Sequence, residues 1–299
     1  MSGPQVSIVI PTHNSSRYLV KALDSVLAQT VSDFEALVVD DGSTDDTECV
    51  MRHYGAPVRY IRQQNAGVAV ARNNGISESR GRYVAFLDAD DVWLPFKLER
   101  QLETINLSSA NGVCYSAFSI VSSELEPMEV SQSQRSGSLL ESLLTRGNIV
   151  GTPSTVICER ELLSEVGGFD AALSYGADWD LWLRLSVLTG FCYVDEPLVM
   201  YRQHDGNMSR SASLVECDSL RVLEKGFEID GLSDALRAKR RAAFARNYMV
   251  LAGIYFHTRR YGDSLRCAAR SVSMDFRQLT YVIRFPKRLM KRARPQPAV

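Results

Sequence analysis

The sequence predicts an α/β fold: a mostly parallel sheet of βαβ units flanked by helices, followed by a helical C-terminal extension. Three observations carry this. Short apolar runs alternate with amphipathic stretches through the first ninety or so residues, the pattern of strands joined by crossover helices. Polar clusters sit at the ends of those apolar runs. From about residue 212 onward the apolar spacing becomes helical throughout.

The elements read as follows. Residues 6–10 form a buried strand, and 18–27 have helical spacing. Residues 36–39 are a second strand, closed by a Gly-Ser-Thr turn before a helix near 46–54. A third strand spans 58–61, a third helix 68–79 and a fourth strand 83–87. The middle of the chain is mixed: 122–136 reads as an exposed loop, 138–146 as a short helix ending at Gly147, 154–157 as a strand and 160–166 as a helix stopped by Gly167-Gly168. Residues 247–276 read as a helical hairpin broken at Tyr261-Gly262-Asp263. Two regions are therefore expected, 1–210 with the chemistry and 211–299 as a helical extension with a basic tail.

Composition narrows the class. The chain has 299 residues, 45% apolar and 23% charged, values of a globular protein. No run approaches the roughly 20 apolar residues that a spanning helix needs, and the N-terminus lacks the basic region of a signal peptide. A cytoplasmic location is expected. Six cysteines are scattered singly, which suits reduced core thiols better than zinc or disulfides. The net charge is −1, but residues 284–299 carry six Lys or Arg and no acid, so residues 1–283 sum to −7. That tail, with Phe285, Leu289 and Met290 among its cations, suits an anionic membrane surface such as the inner face of the plasma membrane; a solvated tail is the alternative. No nucleic-acid partner is expected. The G-x-G-x-x-G, G-x-x-x-x-G-K-[ST] and G-x-S-x-G motifs are all absent, which sets aside dehydrogenases, P-loop enzymes and α/β hydrolases.

The chemistry sits at the strand ends. Pro11-Thr12-His13-Asn14 follows strand one, Asp40-Asp41-Gly42-Ser43 strand two, and Asp88-Ala89-Asp90-Asp91 strand four. In parallel sheets such loops converge beyond the carboxyl ends of the strands, where ligands bind. Two carboxylates spaced as Asp88 and Asp90 can face one ligand, and hard oxygen donors suit Mg²⁺ or Mn²⁺ or a ribose diol.

With these residues in view, the chain resembles the inverting family-two glycosyltransferases of the GT-A fold. VSIVIPTHN, LVVDDGSTDDT, NAGVAVARNNG, YVAFLDADDVWLPFKLE, VGGFD, DWDLWLR and YRQHDGNMS fall in that family's order over roughly residues 6–210. The resemblance implies transfer of a sugar from a nucleoside diphosphate, a UDP-sugar in the first instance, to a glycan or lipid-linked glycan in cell-surface polysaccharide biosynthesis. It implies that Pro11, Thr12, His13 and Asn14 hold the nucleoside and that Asp41 accepts from the base. Arg72 would line the nucleotide side, where an ion pair is its other role. Asp88 would face the ribose, with Asp90 and His204 as metal ligands. Trp93, Gly168 and Trp179 would lie on the acceptor or sugar side. Asp178 matches the catalytic base, at a helix start that also suits an N-cap, and Asp180 is the second candidate. One departure stands out: the family's usual Glu before the base is Ala177 here. A catalytically inactive nucleotide-sugar-binding scaffold is the competing class.

Overall fold

A computed structural model describes residues 3–107, 110–131, 136–281 and 283 of the chain. It divides into two compact units: Met1–Leu143 with Asn148–Asn207, and Leu144–Gly147 with the chain from Met208 on. In chain order the first part runs β1 (Val6–Thr12), α1 (Ser16–Leu27), β2 (Phe34–Asp40), α2 (Thr47–Met51), β3 (Val58–Arg62), α3 (Val68–Glu78), β4 (Tyr83–Phe86), β5 (Val92–Trp93) and α4 (Lys97–Asn106). It continues with β6 (Asn111–Val121), β7 (Pro127–Ser131), α5 (Leu140–Arg146), β8 (Val156–Glu159), α6 (Arg160–Glu165), α7 (Ala177–Leu188) and β9 (Gly190–Arg202). After residue 207 come α8 (Ala212–Phe227), α9 (Asp234–Arg237), α10 (Arg240–His257) and α11 (Tyr261–Met274).

The strands form one sheet in the order β3-β2-β1-β4-β8-β6-β9-β5, with β7 on β6. From β3 to β4 all neighbours are parallel. Beyond β4 the sheet is mixed: β8 is antiparallel to β4 and β6, β9 is parallel to β6, and β5 is antiparallel to β9. Every residue of β1, β2 and β4 is buried. Strands covered on both faces read as continuous apolar runs, which is why these were visible in the sequence. The chain steps from β1 outward to β2 and β3, then returns through α3 to place β4 on the other side of β1. That reversal opens a crevice at the carboxyl ends of β1 and β4.

α3 comes close to the sheet at Gly75, where an added Cβ would stand 2.3 Å from Val9 Cγ1. Four cysteines are buried and two exposed, all of them free thiols. Three expectations need correction. The 122–136 segment is not all loop, since β7 pairs there with β6; its residues are largely exposed, so it has no apolar signal. The C-terminal hairpin turns at 258–260, where Arg259 takes φ 60°, and Tyr261-Gly262-Asp263 opens α11 instead. The predicted strand at 154–157 starts at Val156, after a 3₁₀ turn at Pro153–Thr155. The basic tail lies outside the described residues.

Gly75 yields a test of the packing that sets the crevice. Gly75→Val is expected to cost about 1–3 kcal/mol by overpacking against β1. Val9→Ala in the same chain should recover part of that loss. A thermal or urea double-mutant cycle showing strictly additive effects would refute the contact.

Candidate active site

The loop after β1 is shaped by hydrogen bonds to the loop after β2. Pro11 and Thr12 are the last residues of β1 and are buried. Asn14 takes φ 49°, a left-handed conformation that asparagine tolerates better than most residues. Its Oδ1 accepts from Thr44 N at 2.8 Å, and its own N–H donates to Ser43 Oγ at 2.9 Å. The exposed His13 ring sits with Nδ1 2.9 Å from the Asp41 carbonyl.

Asp40 and Asp41 divide the work after β2. Asp40 is fully buried; it accepts from the Tyr60 hydroxyl at 2.5 Å and caps the turn through Ser43 N at 2.8 Å. Asp41 gathers the entry to α3. Its Oδ1 accepts from Ala66 N and Gln63 Nε2, and its Oδ2 from Gly67 N, each at 2.8 Å. A carboxylate offers about four acceptor positions, so this loop leaves room for one more donor.

At the end of β4 the acids separate by partner. Asp88 Oδ1 accepts from Arg72 Nη2 at 2.5 Å, with the arginine side chain 4% exposed and the aspartate 24%. The Arg72 guanidinium also lies 5.2 Å from the Phe169 ring centre. Next to it on α3, Asn73 makes a reciprocal pair with the Phe169 backbone, donating to O at 2.8 Å and accepting from N at 2.7 Å. Gly168 has φ +70°, and a Cβ there would lie 2.4 Å from Asn73 Oδ1, so that position demands glycine.

Asp90 Oδ2 lies 2.8 Å from His204 Nε2. Gly206 N lies 3.1 Å from His204 Nδ1. The Tyr18 ring lies 4.9 Å from that imidazole, with the Arg202 guanidinium 4.7 Å from the Tyr18 centroid. Arg202 Nε donates to the Asp90 carbonyl at 2.7 Å, and its Nη1 to the Ser123 carbonyl. Asp91 is wholly buried, accepting from Ser154 Oγ at 2.5 Å and Arg202 N at 3.0 Å. Burial, followed by the charges of Asp90 and Asp88, pushes its carboxyl well above the ordinary range.

Asp178 is the second residue of α7 and 8% exposed. Its Oδ2 accepts from Asn148 Nδ2 at 2.8 Å and its Oδ1 from Trp179 N at 2.7 Å. Burial raises its carboxyl to about 6, against the lowering pull of the Arg72 charge and with a smaller upward push from Asp88. Those two influences place Asp178 in the same electrostatic neighbourhood as the Arg72–Asp88 pair. Asp180 differs. Arg184 Nη2 binds it at 2.7 Å and also donates to Gly168 O, while Nη1 donates to Val166 O, so this acid anchors the glycine turn.

Trp93 and Trp179 are buried, their indole N–H groups on the carbonyls of Ser154 and Leu143 at 2.8 and 3.1 Å. Both are packed in the interior with their indole N–H groups paired. Asn148, Ser154, Tyr18 and Arg202 escaped the sequence reading. Arg202 had a signal, its place in the Tyr-Arg-x-His segment; Asn148 had none.

Asp90 and His204 supply a carboxylate oxygen and an imidazole nitrogen side by side, a donor set that Mn²⁺ or Mg²⁺ accepts. Among the described residues no cluster of three or more His, Cys, Asp or Glu is placed to hold a metal. A cation there would therefore draw further ligands from a diphosphate and water, as such ions commonly do.

Known proteins share the family and the fold of this chain. The family model described as Glycosyl transferase family 2 matches residues 7–167. An uncharacterized glycosyltransferase of Rickettsia typhi is 32% identical over 229 residues, covering 75% of this chain and 72% of that protein. The succinoglycan biosynthesis protein ExoO of Rhizobium meliloti is 31% identical over 268 residues, 83% of this chain and 76% of that one. Among solved structures, residues 1–349 of S. aureus TarS in complex with UDP-GlcNAc superpose with TM-score 0.64 at 20% identity, covering 94% of this chain and 81% of that chain. The mannosyltransferase PcManGT of Pyrobaculum calidifontis, in complex with GDP-Man and Mn²⁺, gives 0.63 at 17% identity, covering 91% and 76%. The chain belongs to glycosyl transferase family 2 and has the GT-A type fold.

Proposed function

We propose that this enzyme transfers a sugar, with inversion, from a nucleoside-diphosphate sugar to a hydroxyl of a glycan or lipid-linked glycan in polysaccharide biosynthesis. The observation that carries the reading is Asp178: a buried carboxylate, held by two N–H donors at a helix start, within electrostatic reach of Arg72 and Asp88. The ExoO likeness supports the biosynthetic setting. The TarS complex supports a UDP-sugar, while PcManGT binds GDP-Man, and Asp41 can accept from the N–H edge of either base.

The roles follow from position. Asp41 and the 11–14 loop receive the nucleoside. Asp88, held by Arg72, faces the ribose. Asp90 and His204 would hold Mg²⁺ or Mn²⁺, which supplies positive charge for the departing diphosphate. Asp178 takes the proton from the acceptor hydroxyl as its oxygen bonds to the anomeric carbon. The bond from that carbon to the phosphate oxygen breaks on the opposite side, and its electron pair leaves with the nucleoside diphosphate. Asn148 and the helix N-terminus favour the ionised base and fix its direction. The Gly167-Gly168-Phe169 turn, tied down by Asn73 and Arg184, bounds the acceptor side.

Asp178→Asn should lower kcat by at least about 100-fold, the smaller end of what a positioned base contributes, while nucleotide binding by calorimetry stays near wild type. In the wild type, kcat/KM should fall below a midpoint near pH 6, where the base becomes protonated. Full turnover in Asp178→Asn, or a flat profile between pH 5 and 7 in the wild type, would remove Asp178 as the base.

The same residue gives a stability test with a definite sign. Its native carboxyl titrates near 6 against an ordinary 3.8, so the native state favours the neutral form. Below the ordinary value the aspartate carries no penalty; as pH rises through 6 a cost of up to about 3 kcal/mol develops. Asp178→Asn should thus melt like wild type near pH 4 and above it at pH 7. No gain at pH 7 would contradict the burial of a charged Asp178.

Donor and metal are tested together by thermal shift with UDP, dTDP and GDP, each with and without Mn²⁺. A ligand at 100 times its Kd stabilises by about 2.7 kcal/mol. One nucleotide should shift the wild type more strongly with Mn²⁺, and Asp90→Ala should erase that increment. An increment that survives Asp90→Ala would exclude Asp90 as the ligand.

A further inference from the structure

Charge is distributed very unevenly along the chain. Residues 237–299 hold sixteen Lys and Arg against Asp263 and Asp275, a net of +14, so residues 1–236 sum to −15. Ten of those cations lie between 237 and 277 in described helices and turns, and all ten are exposed. Several lie along aromatic rings: Arg240 is 5.2 Å from the Phe244 centroid, Arg260 is 4.8 Å from Tyr255 and Arg270 is 5.4 Å from Tyr248.

The same segment exposes large apolar side chains. Leu265 is 72% exposed and Phe276 79%, with Tyr261, Leu279 and Ile283 also exposed. On α11 the packed face carries Cys267 and Ser271. Around the helix from it, Tyr261, Leu265 and Ala269 repeat at i, i+4 and i+8 and form an outward stripe. Arg270 and Arg266, the latter also paired with Glu216 and Asp263, run along one side of that stripe. A helix with an apolar stripe bordered by arginines, lying in a strongly cationic segment, has the makeup of a helix that rests in a bilayer interface.

We infer that α11 and the turn after it, with Leu265 and Phe276 as inserting side chains, form a docking surface for an anionic lipid bilayer. Charge decides the occupant. A second copy would set one cationic segment against another, whereas anionic headgroups complement it and acyl chains receive the stripe. The acidic remainder of the chain is repelled by the same lipids, so attraction is confined to this segment. Residues 284–299 add six cations to it. The inference rests on the transferase reading only for its purpose, bringing the enzyme to a lipid-linked acceptor. The binding test involves no transfer, so its failure leaves the Asp178 experiments untouched.

The full chain is sedimented with vesicles of phosphatidylcholine alone and of phosphatidylcholine mixed with phosphatidylglycerol. Binding is expected to the mixed vesicles, to weaken with salt, and to fall about 10-fold or more in Leu265→Glu/Phe276→Glu. A separate Phe276→Trp chain should show a blue shift in emission on adding mixed vesicles, because the three native tryptophans are buried. Equal sedimentation of the double variant and wild type overturns the proposal, as does unshifted emission from Phe276→Trp. A double variant that turns a dimer into a monomer with vesicle binding unchanged assigns the stripe to self-association and also overturns it. Circular dichroism checks that the variants fold.

Discussion

The site is organised around carboxylates crowded at one rim of the sheet. Asp88, Asp90, Asp91, Asp178 and Asp180 lie on two segments that meet beyond β4, and like charges in a partly dry crevice repel strongly. The fold answers with arginines sent in from elsewhere, Arg72 from α3 to the Asp88 carboxylate and Arg184 to that of Asp180, while Arg202 of β9 gives its backbone N–H to the Asp91 carboxylate and its Nε to the Asp90 carbonyl. Asp178 receives amide N–H donors instead of a guanidinium. A carboxylate held by neutral donors in a buried place keeps a proton affinity near neutrality, the property the proposed base needs. The two candidates for the proposed base thus differ in partners: Asp178 is held by amide N–H groups and Asp180 by Arg184.

The same compensation leaves marks in the packing. Arg72 Nε, Arg202 Nη2 and Thr12 Oγ1 are buried without a hydrogen-bond partner, three of four such side-chain atoms among the described residues. All three belong to residues at the rim. A buried unpaired donor costs roughly 1–3 kcal/mol, a burden tolerated where function fixes the geometry. Asn14, Gly67 and Gly168, each at positive φ, bend loops around the same crevice. The rim is therefore less comfortable than the strands that present it.

How much of this was legible in the sequence depended on how local each feature is. β1, β2 and β4 are buried on both faces and read as plain apolar runs. β6 and β9 did not stand out: they are partly exposed, shift register against each other, and β9 contains Asp195-Glu196-Pro197. Asp41, Asp88, Asp90 and Asp178 announced themselves because each sits in a short motif with fixed neighbours. Asn148 and Tyr18 act across 30 and nearly 190 residues of chain, and no local pattern encodes such a reach. The charge asymmetry was read from the last sixteen residues alone; its larger part lies upstream, where arginines on aromatic rings resemble ordinary helix surface.

Net charge misled in the same way. A sum of −1 suggests neutrality, yet residues 1–236 carry −15 and the proposed donor is a dianion or more. The arginines at the rim are already engaged: Arg72 with Asp88, Arg184 with Asp180, Arg202 with Asp90, Asp91 and Ser123. Neither Arg72 nor Arg184 can turn to a diphosphate without leaving a carboxylate uncompensated, which costs several kcal/mol for a buried pair, and the Arg202 guanidinium is held by the Asp90 and Ser123 carbonyls. In the proposed reaction a divalent cation entering with the donor would supply that positive charge. The carboxylate and imidazole of Asp90 and His204 are the pair on this rim whose direct contact is with each other, and exchanging that contact for a shared divalent cation breaks no arginine clamp. In this scheme a bound cation would leave the arginine–carboxylate pairs of Asp88 and Asp180 intact.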